Sequence, residues 1–146
     1  MLIDHYISGM NSAAGGSTRL VQQVCDALAI KNGLYIRLIT QRYLTEDIIL
    51  PTEEAVINKI SIINSKLVKS LGTSIPKIYS NILNDEKPDI LHIHGIWNLS
   101  NFFIQKFAQK ENIPIIIQPH GMLEPWALGW HSKRKKMAMI LYQKKA

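Results

Sequence analysis

With 146 residues, 47% of them apolar and 19% charged, the chain has the make-up of one globular domain and not of a disordered segment. No apolar run approaches the ~20 residues of a membrane span, and the start, Met1-Leu2-Ile3-Asp4-His5-Tyr6, has neither the basic region nor the long apolar stretch of a signal peptide. The net charge of +6 sits wholly in Lys133, Arg134, Lys135, Lys136, Lys144 and Lys145, which argues against the broad basic face of a nucleic-acid binder.

Leu2 to Ser8 reads as a first strand that stops at Gly9. The loop Met10-Asn11-Ser12-Ala13-Ala14-Gly15-Gly16 follows. Ser17 or Thr18 then caps a helix whose apolar positions, Leu20, Val21, Val24, Ala27 and Leu28, recur at helical spacing. The single cysteine, Cys25, falls inside that helix as a small core residue, and a reducing cytoplasm suits it. Asn32-Gly33 reads as the helix stop and Leu34 to Thr40 as a second strand.

Gln41 to Thr52 is polar, contains Pro51 and reads as a loop. Val56, Ile60, Ile63, Leu67 and Leu71 fall at the period of an amphipathic helix, closed by Gly72. Ser74 and Pro76 open a shorter helix that buries Ile78 and Ile82. A strand through Ile90-Leu91-His92-Ile93-His94 comes next, then a helix marked by Phe102, Phe103, Phe107 and Ala108. Ile113 to Gln118 is the last strand, and Trp130 to Ala146 a basic helix without a stop signal. The order predicts an α/β fold, a Rossmann-like doubly wound parallel sheet over residues 1–146.

Two segments end alike: Ile90-Leu91-His92-Ile93-His94-Gly95-Ile96-Trp97 and Ile115-Ile116-Ile117-Gln118-Pro119-His120-Gly121-Met122. Each is a β-branched run that stops at a His-Gly pair, the pattern of a parallel strand covered on both faces. Ligands of open α/β sheets bind outside the carboxyl ends of the strands, so both corners face one crevice. The Gly15-Gly16 loop offers backbone N–H groups to a phosphate at a helix start, or serves only as a turn. No G-x-G-x-x-G is present, so it is not a dinucleotide fingerprint.

On Gly15-Gly16-Ser17-Thr18-Arg19, Asp89 through Trp97 and Gln118 through Leu128, the chain resembles the N-terminal domain of family 4 retaining glycosyltransferases of GT-B architecture. The resemblance covers nearly the whole chain. It implies transfer of a sugar from a nucleotide-diphosphate donor to a glycan or lipid-linked acceptor with retention, in cell-surface polysaccharide synthesis, without a metal or other cofactor. It also implies a C-terminal nucleotide-binding domain that this sequence does not contain; an inactive or vestigial acceptor-binding domain is the alternative. Glu46 and Glu54 have the spacing of that domain's glutamate pair, but in a loop after strand two they read as coincidence.

By the resemblance His120 reaches the donor sugar, with a positioning and charge-stabilising role. His94, Gly95 and Gly121 line the crevice, His92 packs within the sheet, and Gly15, Gly16 and Arg19 meet a phosphate. Trp97, Glu124 and Trp126 lie just beyond the corners. Stacking on an acceptor sugar and core packing are both open for the tryptophans, as are phosphate contact and a plain surface place for Arg19. His92 and His94 in His-x-His spacing also allow a zinc hydrolase, although such a site needs further ligands. The basic end, through Lys133, Arg134, Lys135 and Lys136, either lies on an anionic membrane or packs its apolar stripe on the sheet.

Overall fold

The computed structural model describes residues 1–63, 74–129 and 132–141. Five strands, β1 (Leu2–Ile7), β2 (Tyr35–Tyr43), β3 (Val56–Ile63), β4 (Ile90–His94) and β5 (Ile115–Gln118), form one sheet. All its pairings are parallel and the order is β3-β2-β1-β4-β5. Helices α1 (Gly16–Ala29), α2 (Ile75–Asp85), α3 (Leu99–Lys110), α4 (Pro125–Gly129) and α5 (Ser132–Leu141) complete the described elements, with a short 3-10 turn at Ser12–Ala14. The chain winds outward from β1 to β3 and then restarts on the other side at β4. The topological switch therefore falls between β1 and β4, where doubly wound sheets open a crevice.

Alternation along the strands divides the core between two faces. Tyr6, Ile39, Leu91 and Ile93 pack with Ile75, Tyr79 and Ile82 of α2 and with Ile104 and Ala108 of α3. Ile7, Ile36, Leu38 and Val56 pack with Val21 and Cys25 of α1, and Ile48 and Leu50 of the β2–β3 connection close over them. That connection is fastened to α1 by Asp26, whose carboxylate accepts from Thr52 N, Thr52 Oγ1 and Glu53 N at 2.8–3.0 Å.

A buried charge pair runs through the first face. Arg37 Nε and Nη2 donate to the two carboxylate oxygens of Asp4 at 2.7 and 2.9 Å, and Tyr79 Oη donates to Asp4 Oδ2 at 2.9 Å. Asp4 and Arg37 are register partners on β1 and β2, so the sheet itself brings them together. Burial nonetheless raises the Asp4 carboxyl, against the lowering effect of Arg37 and Tyr79. The hydrogen bonds and the ion pair recover only part of the desolvation of Asp4, as is common for buried ion pairs.

Several expectations are corrected. Residues 56–63 are strand β3 and not a helix. Val56, Ile57, Ile60, Ile62 and Ile63 are β-branched, which favours a pleated surface over a helix, and the parallel ladder to β2 decides it. The further helical positions Leu67, Leu71 and Gly72 lie outside the described residues. Strand β2 runs on to Tyr43, into the stretch read as loop. Helix α1 starts at Gly16 with Gly15 at its N-cap, not at a Ser17 or Thr18 cap; Thr18 Oγ1 instead donates to the Gly15 carbonyl at 2.9 Å. It ends at Ala29, a few residues before Asn32-Gly33.

Finally, β5 is a sheet edge on which Ile116 and Ile117 are exposed, whereas a strand covered on both faces was expected. Of the basic helix, Ser132–Leu141 is described, and residues 130–131 and 142–146 lie outside. Met137, Ile140 and Leu141 are exposed there, so they do not pack on the sheet. No helix among the described residues is long and apolar enough to cross a membrane.

Candidate active site at the strand ends

A crevice of about 140 Å³ opens at the switch point, lined by Ile7, Ser8 and Gly9 after β1, Ser17 and Thr18 of α1, His94, Gly95 and Asn98 after β4, and His120 and Met122 after β5. Three of its walls come from strand ends and the fourth from the first turn of α1, whose unpaired N–H groups make it the electropositive end of that helix. Gly15 has φ +85°, a value that side chains rarely adopt, and it lets the chain turn from the loop directly into the helix. A larger groove of about 420 Å³ lies between β3 and α2, among Asn58, Lys59, Ile78, Asn81 and Asp85, at the sheet's far edge.

The two His-Gly corners interlock. Gly95 (φ +88°) donates its N–H to the Gln118 carbonyl at 2.8 Å, and a Cβ on it would stand 3.1 Å from Met122 Cε. Asn101, buried on α3, donates to the carbonyls of His94 and Gly95 at 3.1 and 2.6 Å. Trp97 Nε1 donates to the Met122 carbonyl at 3.4 Å. In the second corner His120 itself has φ +51° and is followed by Gly121 at φ +73°. A non-glycine residue in the left-handed region is uncommon and is held there by its surroundings.

What holds His120 is another histidine. Its Nε2 lies 2.9 Å from His94 Nδ1, and His94 Nε2 lies 3.0 Å from His5 Nδ1. His92 completes the group, its ring 4.2 Å from that of His94 and 5.0 Å from that of His5. Burial pushes His5 down to about 4, with His92 adding to the effect. Burial first, then the neighbouring imidazoles, pushes His94 down to about 2. Burial likewise lowers His92, helped by His120, and lowers His120. At neutral pH all four are neutral, each with one N–H and one lone pair.

His94 is the buried one, 3% exposed, while His92 is half-buried. This reverses the expectation that His92 would be the one enclosed by the sheet. His92 faces the same way as its register partner Ile116 on the open edge strand, whereas His94 is covered by His120 and His5. His94 still forms part of the crevice wall. Ring nitrogens of His5, His92 and His94 lie within 4.8 Å of one another, close enough to suggest a metal site. Both nitrogens of His94 are already engaged, so a metal would have to displace a neighbouring imidazole.

Of the residues singled out from sequence, His94, Gly95 and His120 meet in the crevice. Gly15, Gly16 and Arg19 are exposed at the start of α1, beside the lining and not in it. Trp97 is half-buried at its border, under Lys135 Nζ at 5.8 Å from its ring centre. Gly121 and Glu124 are exposed in the turn behind His120, and Trp126 is 71% exposed on α4, so core packing does not account for it. Sequence reasoning passed over His5, Ser8, Asn98, Asn101 and Met122. For His5 the available signal was a polar residue at a core position of β1, beside the equally buried Asp4.

The fold is shared with a solved UDP-GlcNAc 2-epimerase from Neisseria meningitidis bound to UDP-GlcNAc, at a TM-score of 0.55 and 18% identity. The match covers 97% of this chain and 38% of that one, so the present chain spans well under half of that enzyme's length. Among curated proteins no relative matches. The sequence profile of Glycosyltransferase Family 4 matches residues 14–146, from the Gly15-Gly16 loop through both His-Gly corners to the basic end. The chain belongs to Glycosyltransferase Family 4.

Proposed function

We propose that this chain is the acceptor-side half of a two-domain glycosyltransferase, and that its strand-end crevice receives the sugar and phosphate end of a nucleotide-diphosphate sugar. The observation that carries this reading is the position of His120, held over the crevice by His94 and facing the electropositive first turn of α1. A neutral imidazole there hydrogen-bonds a sugar or phosphate oxygen and stabilises charge as the glycosidic bond breaks. Trp97 at the crevice border, with Glu124 and Trp126 exposed on the segment after His120, suits an acceptor glycan: aromatic faces stack on sugar rings and a carboxylate accepts from their hydroxyls. The reaction is transfer with retention onto a glycan or lipid-linked acceptor of the cell surface, carried out in the cytoplasm. Base and ribose contacts belong to a second domain or subunit.

UDP-GlcNAc, the ligand named for the epimerase that shares the fold, is the first donor to try. In an NMR titration of this chain, amide signals of Ser17, Thr18, Gly95 and His120 should move. The affinity should be millimolar or weaker, a free energy of about −4 kcal/mol, since no base-binding groups are supplied. Movement confined to other residues would reject the crevice. Micromolar affinity would reject the division of labour between two halves.

The basic end supports peripheral attachment to an anionic membrane face. Lys133 and Lys136 are exposed on α5 beside the exposed Met137, Ile140 and Leu141. Lys135 is occupied otherwise, its Nζ donating to the Ala127 carbonyl; the Arg134 side chain, Lys144 and Lys145 lie outside the described residues. Each lysine near such a surface contributes about 1 kcal/mol, fading within roughly 8–10 Å. Co-sedimentation with anionic vesicles at low salt is expected, with loss in high salt and on changing Lys133 and Lys136 to Gln. Equal binding to neutral vesicles would remove the electrostatic reading.

A further inference from the structure

The bonds His5 Nδ1···His94 Nε2 and His94 Nδ1···His120 Nε2 join three imidazoles from β1, β4 and the β5 corner into one chain. A neutral imidazole carries a single N–H, and each link needs one N–H and one lone pair. Only two proton arrangements satisfy both links. In one, His5 Nδ1–H donates to His94, His94 Nδ1–H donates to His120, and the His120 proton is on Nδ1. In the other every bond reverses: His120 Nε2–H donates inward, His94 Nε2–H donates to His5, and the His5 proton is on Nε2.

The inner end chooses between them. His5 is fully buried and its Nε2 has no hydrogen-bond partner. The reversed arrangement would put an N–H on that atom with nothing to accept it. The forward arrangement leaves only a bare lone pair there. Orphaned buried N–H groups are the rarer of the two in folded proteins, so the forward arrangement is favoured. At the outer end, Nδ1 of His120 is the ring nitrogen that the chain leaves to the crevice.

We propose that His94 is a positioning residue: closed off on its inner side by the buried His5, it fixes the proton of His120 on Nδ1, so that a ligand in the crevice meets an N–H donor and must offer an oxygen lone pair. The proposal deepens the reading of the crevice as a sugar-nucleotide site and rests on it for the identity of that ligand. It makes His120 unsuited to taking a proton from the ligand, since its one remaining lone pair is spent on His94. His5, two residues before the Ile7 that lines the crevice, is the inner end of the chain and supplies the donor to His94 Nε2.

The test is a tautomer map of the intact chain at neutral pH, from long-range correlations of ¹⁵N-labelled histidine rings. Nδ1 of His5, His94 and His120 should each carry the proton, and their Nε2 atoms should be bare. In His94→Leu, His120 Nε2 loses its donor, and the Nε2–H form of His120 should rise from a trace to a share comparable with the Nδ1–H form. His5→Leu should instead leave His120 on Nδ1, because the buried His94 Nε2 is then the atom that cannot carry an unpaired N–H. A merely structural role for His94 would leave the His120 tautomer unchanged in a variant whose amide spectrum shows it folded, and that result overturns the proposal. If His94→Leu does not fold, the wild-type map still decides, because Nε2–H on His120 overturns it directly. Adding UDP-GlcNAc should then shift the His120 Nδ1 signal while keeping its proton. A tautomer map as assigned with no such shift would remove the ligand reading and leave the imidazole chain standing; the converse removes the chain alone.

Discussion

When the chain is supplied with a complementary nucleotide-binding domain, His120→Ala should lower turnover roughly 10²–10³-fold, the loss found when one transition-state hydrogen-bond donor is removed. On the function proposed above, the KM for donor should change far less, because the base and ribose are assigned to the second domain. The imidazole is fixed in place by His94 and by a backbone at φ +51°. Steady-state rates of sugar transfer by the reconstituted pair measure this. Full turnover in the variant would mean that His120 only props the turn after β5.

Acid should unfold the domain over a range in which most proteins are still secure. His5 and His94 are neutral in the native state, depressed by burial to about 4 and about 2. In the unfolded chain both protonate near 6.5. Below that pH the unfolded state binds protons that the native state refuses, so stability is complete above about 6.5 and falls as pH drops. Each histidine removes about 1.4 kcal/mol per pH unit, and by pH 4 the two together remove on the order of 6 kcal/mol. Typical total stability is about 5–15 kcal/mol. Asp4 acts in the opposite sense: its raised carboxyl gains a proton earlier in the native state and offsets a part of the loss near the bottom of this range. Urea titrations followed by circular dichroism at pH 7 and pH 5 should show the midpoint falling sharply. A midpoint independent of pH would mean that the imidazoles protonate freely in the folded protein.

The sheet's winding and its two His-Gly corners were legible because their signals are local. A β-branched run that stops at His-Gly needs no partner to be recognised, and both corners lie where the sequence placed them, at the ends of β4 and β5. Strand β3 was illegible for the opposite reason. Val56, Ile60 and Ile63 fall at a helical period that masks the strand preference of their β-branched side chains, and pairing with β2 decides between the two. His5 carries no motif, and its meaning appears when β1 and β4 pair and set it in register with His92, 87 positions later in the chain. Arg37 offered a clue that went unused: a charged residue in the middle of a buried strand implies an opposite charge alongside, here Asp4. The exposure of Ile116 and Ile117 depends on what adjoins β5, and no local pattern encodes that.

The interlocking of the two corners gives the crevice one stiff wall and one pliant wall. On the stiff side, Gly95 has no room for a larger residue beside Met122, Asn101 clamps two successive carbonyls, and Gly95 N–H ties to Gln118. Any change there would shift His94 and His120 together. On the other side, a Cβ added to Gly16 would meet nothing within 4 Å, although Gly15 before it is held to glycine by its φ of +85°, and Asn98 Nδ2 donates to Ser8 Oγ across the opening. On the function proposed above, substitutions that adapt the crevice to a new sugar have space at the loops after β1 and before α1, while those at the histidine corners would disturb the group proposed to meet the donor. That reading assigns diversity of substrate and constancy of chemistry to opposite banks of the same cleft.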